Sequence, residues 1–106
     1  MTDAIQVFTT TETEADARHI ADVLVRKGLA ACVQVLGPIT STYRWQGKIE
    51  TTGEWLCIIK STQELYEELE KRILKTHPYD VPEVLAVPVT AGSRDYLDWL
   101  KGSVSK

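Results

Sequence analysis

The chain is poor in the residues that build disulfide frameworks and metal cages. Its 106 residues include two cysteines and two histidines. Cys32 and Cys57 both sit in apolar, strand-like runs rather than in loops. A disulfide framework is therefore not expected, and a reducing cytoplasm is the expected home. No apolar run approaches the ~20 residues of a membrane span and no signal peptide opens the chain, so no membrane partner is expected. A basic excess is also missing: 12 Lys and Arg stand against 15 Asp and Glu, giving a net charge of −3 and a pI near 5.3. Binding to a phosphate backbone needs clustered positive charge, which excludes nucleic acid as the expected partner. There is no CxxC, GxGxxG, Walker loop, GxSxG or HExxH, and no nucleophile beside a recognisable base. An enzyme is not expected.

What remains is ordinary globular material, 43% hydrophobic and 25% charged, with no linker, repeat or low-complexity tract. One domain over residues 1–106 with a modest core is the expectation. Ala4 to Thr9 alternates as a first strand. Thr11 and Glu14 form a capping-box pattern, and Ala17, Ile20, Ala21 and Leu24 supply the apolar stripe of a helix lying on a sheet. Gly28 suits its C-terminal stop, and His19 falls on its solvated side. Leu29 to Leu36 reads as a buried strand ended by Gly37-Pro38. Ile39–Trp45 and Lys48–Thr51 flank Gln46-Gly47, a two-residue hairpin turn with glycine where positive φ is needed. That hairpin places Ser41, Tyr43 and Trp45 on one face and Thr40, Thr42 and Arg44 on the other.

Glu54 to Ser61 is a further strand, followed by a capping-box pattern at Ser61 and Glu64. A helical stripe then runs through Leu65, Leu69 and Ile73 with Tyr66. Val84 to Val89 is a strand, with Pro88 marking an edge or bulge, and Ser93 caps a last short helix. This order gives an α+β, ferredoxin-like sandwich: an antiparallel sheet with helices on one face and an extended β-hairpin. The uncovered sheet face and the aromatic hairpin predict a closed homo-oligomer.

Between the second helix and the last strand lies His77-Pro78-Tyr79-Asp80-Val81-Pro82-Glu83. Each proline fixes its own φ and pushes the preceding residue towards extended geometry. The segment is thus a stiff connector carrying an imidazole, a phenol and two carboxylates, a plausible site. The plainer alternative is a helix stop with Tyr79 packed on the core and His77 solvated.

That segment, with Leu29-Ala30-Ala31-Cys32-Val33, Ile39 to Glu50, Ile59-Lys60-Ser61 and Tyr96-Leu97-Asp98-Trp99-Leu100, closely resembles the CutA divalent-cation tolerance family from about Ile5 to Leu100. The resemblance implies a fold related to the PII signalling proteins and a homotrimer in which neighbouring sheets extend one another. Some members are reported to bind copper through a cysteine at the end of the first strand and two adjacent histidines before Pro-Tyr. The matching positions here are Thr9, Thr76 and His77, and a tight copper or zinc site ordinarily needs three or four N or S ligands. On this reading Cu(II) or another divalent cation is the candidate ligand, bound weakly. His77, Cys32 and Glu83 are the candidate donors, with Asp80 beside them. By analogy with PII-like trimers, an inter-subunit cleft is a second candidate. There Lys60 and Arg44 would hold an anionic ligand, Tyr43, Trp45 and Tyr79 would wall it, and Glu83 would orient it. A third reading is a scaffold presenting the loops of residues 37–53 and 77–83.

Overall fold

In the computed structural model, which describes residues 2–105, every other strand is placed by β3 (Lys48–Thr62) directly or at one remove. The second half of β3 pairs antiparallel with β1 (Ala4–Thr11), from Thr11 opposite Trp55 to Ala4 opposite Thr62. Its other edge pairs antiparallel with β2 (Cys32–Trp45). The short strand β4 (Leu85–Pro88) pairs antiparallel with β1, giving the order β2-β3-β1-β4. Helix α1 (Glu14–Arg26) joins β1 to β2, and α2 (Tyr66–Thr76) lies between β3 and β4. Two strand–helix–strand units therefore interleave, as the expected ferredoxin-like arrangement requires. Helix α3 (Arg94–Gly102) follows β4. No helix among the described residues is long and apolar enough to cross a membrane.

Alternation along the strands splits the sheet into two faces. Ile5, Val7, Thr9 and Thr11 stand level with Ser61, Ile59, Cys57 and Trp55, and this face is covered by α1 and α2. The helices bury their predicted stripes against it: Ala17, Ile20 and Leu24 from α1, Leu69 and Ile73 from α2. Full burial of each large aliphatic side chain contributes about 1.5–3 kcal/mol, so this layer holds the fold. The opposite face carries Phe8, Leu36, Ile58, Leu85 and Val87, beside Cys32, Gln6 and Lys60. Leu36, Leu85 and Val87 remain 46, 60 and 42% exposed, which makes it an open apolar face.

Gly37-Pro38 does not end a strand, contrary to the sequence expectation. Register passes from Leu36 opposite Leu56 to Ile39 opposite Glu54, so β2 accommodates one extra residue as a bulge and continues. Proline cannot donate to the ladder, but one unpaired step is what a bulge supplies. Gly37 lies against the Trp55 indole so closely that a Cβ there would fall onto the ring. Beyond the bulge, residues 39–45 and 48–54 pair only with each other. They form a two-stranded arm, closed by Gln46 and Gly47 at φ 49° and 78°.

Three local expectations also change. Thr13, not Thr11, caps α1, its side chain accepting from the Asp16 N–H at 3.1 Å. The Thr11 hydroxyl donates instead to the Thr13 carbonyl at 2.7 Å. Ser61 is buried in β3 and donates to the Leu29 carbonyl at 2.7 Å, while a 3-10 turn at Gln63–Leu65 leads into α2. Leu29 and Ala30 are buried, but they precede β2 rather than belonging to it. The Ser93 position caps α3 without a side-chain hydrogen bond, whereas Pro88 does sit at the edge strand as expected.

Two core positions give tests. The Thr9 hydroxyl is fully buried and has no hydrogen-bond partner among the described residues. An unpaired buried hydroxyl costs about 1–3 kcal/mol, so Thr9→Val, which keeps the shape, is expected to raise stability by ~1 kcal/mol in denaturant unfolding. A loss of stability would show that the hydroxyl has a partner. Burial pushes the Cys57 thiol up from 9.0 to about 11. The folded state then holds this proton more tightly than the unfolded state, so stability is full below pH 9 and falls as pH rises towards about 11. Cys57→Ala should flatten that part of the stability profile, and an unchanged slope would assign it to other groups.

Candidate functional site

The 77–83 segment begins where α2 stops. His77 N–H donates to the Ile73 carbonyl at 2.8 Å as the last helical bond. Pro78 then holds His77 extended, with φ −72° and ψ 135°. This turns the imidazole inwards rather than into solvent, and His77 is only 7% exposed. Nε2 lies 2.7 Å from the Thr10 carbonyl, and Nδ1 lies 3.1 Å from the Tyr79 backbone nitrogen. A carbonyl only accepts and an N–H only donates, so Nε2 carries the proton, Nδ1 is the acceptor and the ring is neutral. The expectation of a solvated His77 is thereby corrected.

Tyr79 extends the chain of contacts. Its ring is tilted against His77 with centroids 4.7 Å apart, and its hydroxyl donates to Glu54 Oε2 at 2.9 Å. Burial pushes the Tyr79 phenol well above its usual range. The hydrogen bond and charge of Glu54 add to this, as do smaller effects from Glu12 and Tyr43. The end of β1, the connector and the base of the arm are thus tied through Thr10, His77, Tyr79 and Glu54.

Between arm and connector opens a cleft of about 750 Å³. Tyr43, Trp45 and Tyr79 line it together with Glu54, Asp80 and Glu83, and with Thr10, Ser41 and Thr42. The bulge in β2 makes this possible. After it, Tyr43 and Trp45 stand level with Glu50 and Lys48, on the side of Glu54 and the open sheet face.

Of the sequence candidates, Tyr43, Trp45, Tyr79 and Glu83 come together in this cleft, and Arg44 and Lys60 do not. Arg44 alternates onto the other face of the arm. The Lys60 ammonium sits 5.7 Å over the Tyr96 ring, near the start of β2. Cys32 is half-buried opposite Lys60, four residues along β2 from Leu36, which is level with Thr10 through Leu56. That separation is ~13 Å along the strand direction. Thr76 donates to the Arg72 carbonyl at 2.8 Å, and Thr9 points to the helix-covered face. Among the described residues no three His, Cys, Asp or Glu side chains are grouped to hold a metal ion. With both nitrogens of His77 engaged, the residues present do not fit a tight copper or zinc centre.

Sequence reasoning missed Thr10 and Glu54. Thr10 acts through its carbonyl, which no side-chain pattern reveals. Glu54 lies on the open face by the alternation of β3, and its tie to Tyr79, 25 residues away, follows from no local sequence pattern.

A family model described as CutA1 divalent ion tolerance protein matches residues 5–103. The chain belongs to this family. It is 44% identical to the divalent-cation tolerance protein CutA of Thermus thermophilus over 95 residues, covering 90% of this chain and 92% of that protein. It is 43% identical to the chloroplastic protein CutA of Arabidopsis thaliana over 100 residues, covering 94% of this chain but 55% of that relative. Among solved structures, CutA of Xylella fastidiosa superposes with a TM-score of 0.95 at 40% identity, covering 98% of this chain and 100% of that one. The periplasmic divalent cation tolerance protein CutA of Archaeoglobus fulgidus does so with a TM-score of 0.93 at 33% identity, covering 96% and 99%.

The His77 geometry gives a prediction. His77→Ala leaves the Thr10 carbonyl and the Tyr79 N–H without partners and is expected to cost about 2–4 kcal/mol in unfolding, with faster amide exchange across residues 78–83. In wild type, nitrogen NMR of the imidazole should show a protonated Nε2 and a bare Nδ1 that Zn(II) leaves unchanged. A zinc-dependent shift at either nitrogen would make His77 a ligand.

Proposed function

We propose that this chain serves divalent-cation tolerance as a homotrimer whose acidic cleft collects positively charged ligands. The sign of the cleft carries the reading: Glu54, Asp80 and Glu83 line it, and among the described residues no Lys, Arg or His does. An acidic concavity raises the local concentration of cations. Relatives described as divalent-cation tolerance proteins support metal ions as the first class to consider. In this reading Glu83 and Asp80 offer oxygen donors, and a hard divalent ion keeps part of its water and binds weakly. His77 positions these donors, and Cys32 stands apart from them. The anionic effector expected from Lys60 and Arg44 is not favoured, because neither lines the cleft.

Three copies are the assembly that the family resemblance implies, and exposed apolar surface supports association. Tyr43 and Trp45 are 41 and 52% exposed on an arm continuous with the open sheet face. Free thiols at Cys32 and Cys57 support a reducing compartment, the cytoplasm in our reading. No chemical step is proposed.

Light scattering after size exclusion should return the mass of three chains. Calorimetric titration with Zn(II) and Cu(II) should give weak, saturable heats that fall several-fold in Glu83→Gln. A monomeric mass would refute the assembly, and silence with both ions would refute metal binding.

A further inference from the structure

The two faces of the arm differ in chemistry, and the difference says where a neighbouring copy sits. We infer that the back of each arm docks in the cleft of the next chain and supplies its Arg44 to that cleft. This rests on the homotrimer reading and names the contact that closes it. Strand pairing fixes the two faces. Tyr43 and Trp45 stand level with Glu50 and Lys48 on the cleft side. Arg44 stands level with Ile49, and Thr42 with Thr51, on the back. The two threonine hydroxyls there lie 3.2 Å apart. The back therefore carries a cation and a large apolar side chain, but no Asp or Glu. Arg44 has no ion-pair partner among the described residues, where both ion pairs lie within α1.

The cleft offers the complement: three carboxylates, three aromatic rings, and Val81 of the connector. A guanidinium is a planar fork of donors that fits a carboxylate and stacks on aromatic faces, so Arg44 matches both charge and rings. Glu54 of the next chain is its partner. That carboxylate is half-buried and accepts from the Tyr79 hydroxyl at 2.9 Å, which leaves acceptor capacity for a second donor. Apolar contact agrees with the charges. Val81 and Ile49, at 80 and 62% exposed, are the two most exposed large apolar side chains among the described residues. One stands in the cleft wall and the other on the back of the arm, so docking covers both. Within one chain the contact cannot form, because Arg44 belongs to the face opposite the cleft. Front against back is a head-to-tail contact, which closes into a ring when the rotation allows, and three copies close this one. Asp80 and Glu83, exposed on the connector, stay available to cations.

The test is subunit exchange between two fluorescently labelled batches of the intact protein, with covalent trapping beside it. Arg44→Gln and Glu54→Gln should each speed exchange roughly tenfold, and the double variant no more than either alone, because all three lose the same contact. Effects that multiply in the double variant would remove the pairing. For trapping, Ile49→Cys and Val81→Cys are combined in a Cys32→Ser background and treated with a short bismaleimide. The pair should give linked dimers and trimers on a denaturing gel, and neither single variant should. A pair that stays unlinked, or a single variant that links, overturns the inference, and this arm does not depend on Glu54→Gln keeping its fold. Light scattering of the wild type separates the two readings. A trimeric mass without coupling or trapping leaves the homotrimer standing and removes only this contact, whereas a monomeric mass removes both.

Discussion

One extra residue in β2 governs everything beyond the edge of the sheet. Before Gly37, Val33 and Val35 stand level with Ile59 and Cys57, on the side the helices cover. After Pro38 the odd-numbered positions belong to the opposite side, so Tyr43 and Trp45 share a face with Glu54. A regular ladder would have sent those rings to the side of α1 and α2. The site therefore depends on a bulge, and the bulge depends on Gly37, the residue whose missing Cβ leaves room for Trp55.

The second constraint is the imidazole that joins two stretches of backbone. Thr10 ends its pairing opposite Leu56, and the connector has no ladder of its own until Leu85. His77 supplies the missing cross-link through both ring nitrogens. A serine or asparagine could satisfy one of these partners, but a planar ring with two opposed nitrogens spans them together. Being neutral, it achieves this without placing a positive charge behind an acidic cleft. The family that this chain joins is described by ion tolerance, yet here its histidine is committed to architecture.

Much of the fold was legible because it rests on local chemistry. The stripes of α1 and α2, the Gln46-Gly47 turn and the edge position of Pro88 follow from periodicity and backbone freedom, and all appear where expected. Errors arose where tertiary structure overrode a local rule. Gly37-Pro38 looks like a terminator until β3 pairs on both sides of it. Ser61 looks like a cap until Leu29 offers a buried carbonyl. His77 looks solvated because a sequence does not reveal that the Thr10 carbonyl lies within reach. The site was half legible: its aromatic members are conspicuous by type, whereas Arg44 and Lys60 were grouped with them by charge alone and are separated by strand alternation and by length.

The arm has a kinetic meaning as well as a geometric one. Two strands joined by a tight turn are marginally stable in water by themselves, and this pair extends past the point where β1 can support it. Its order must come from what it leans on. The core can close within one chain, since its contacts join β1, α1, β3 and α2. Where the arm packs on a second copy, its final ordering becomes a bimolecular event, and the last step of maturation then quickens with protein concentration while the first does not.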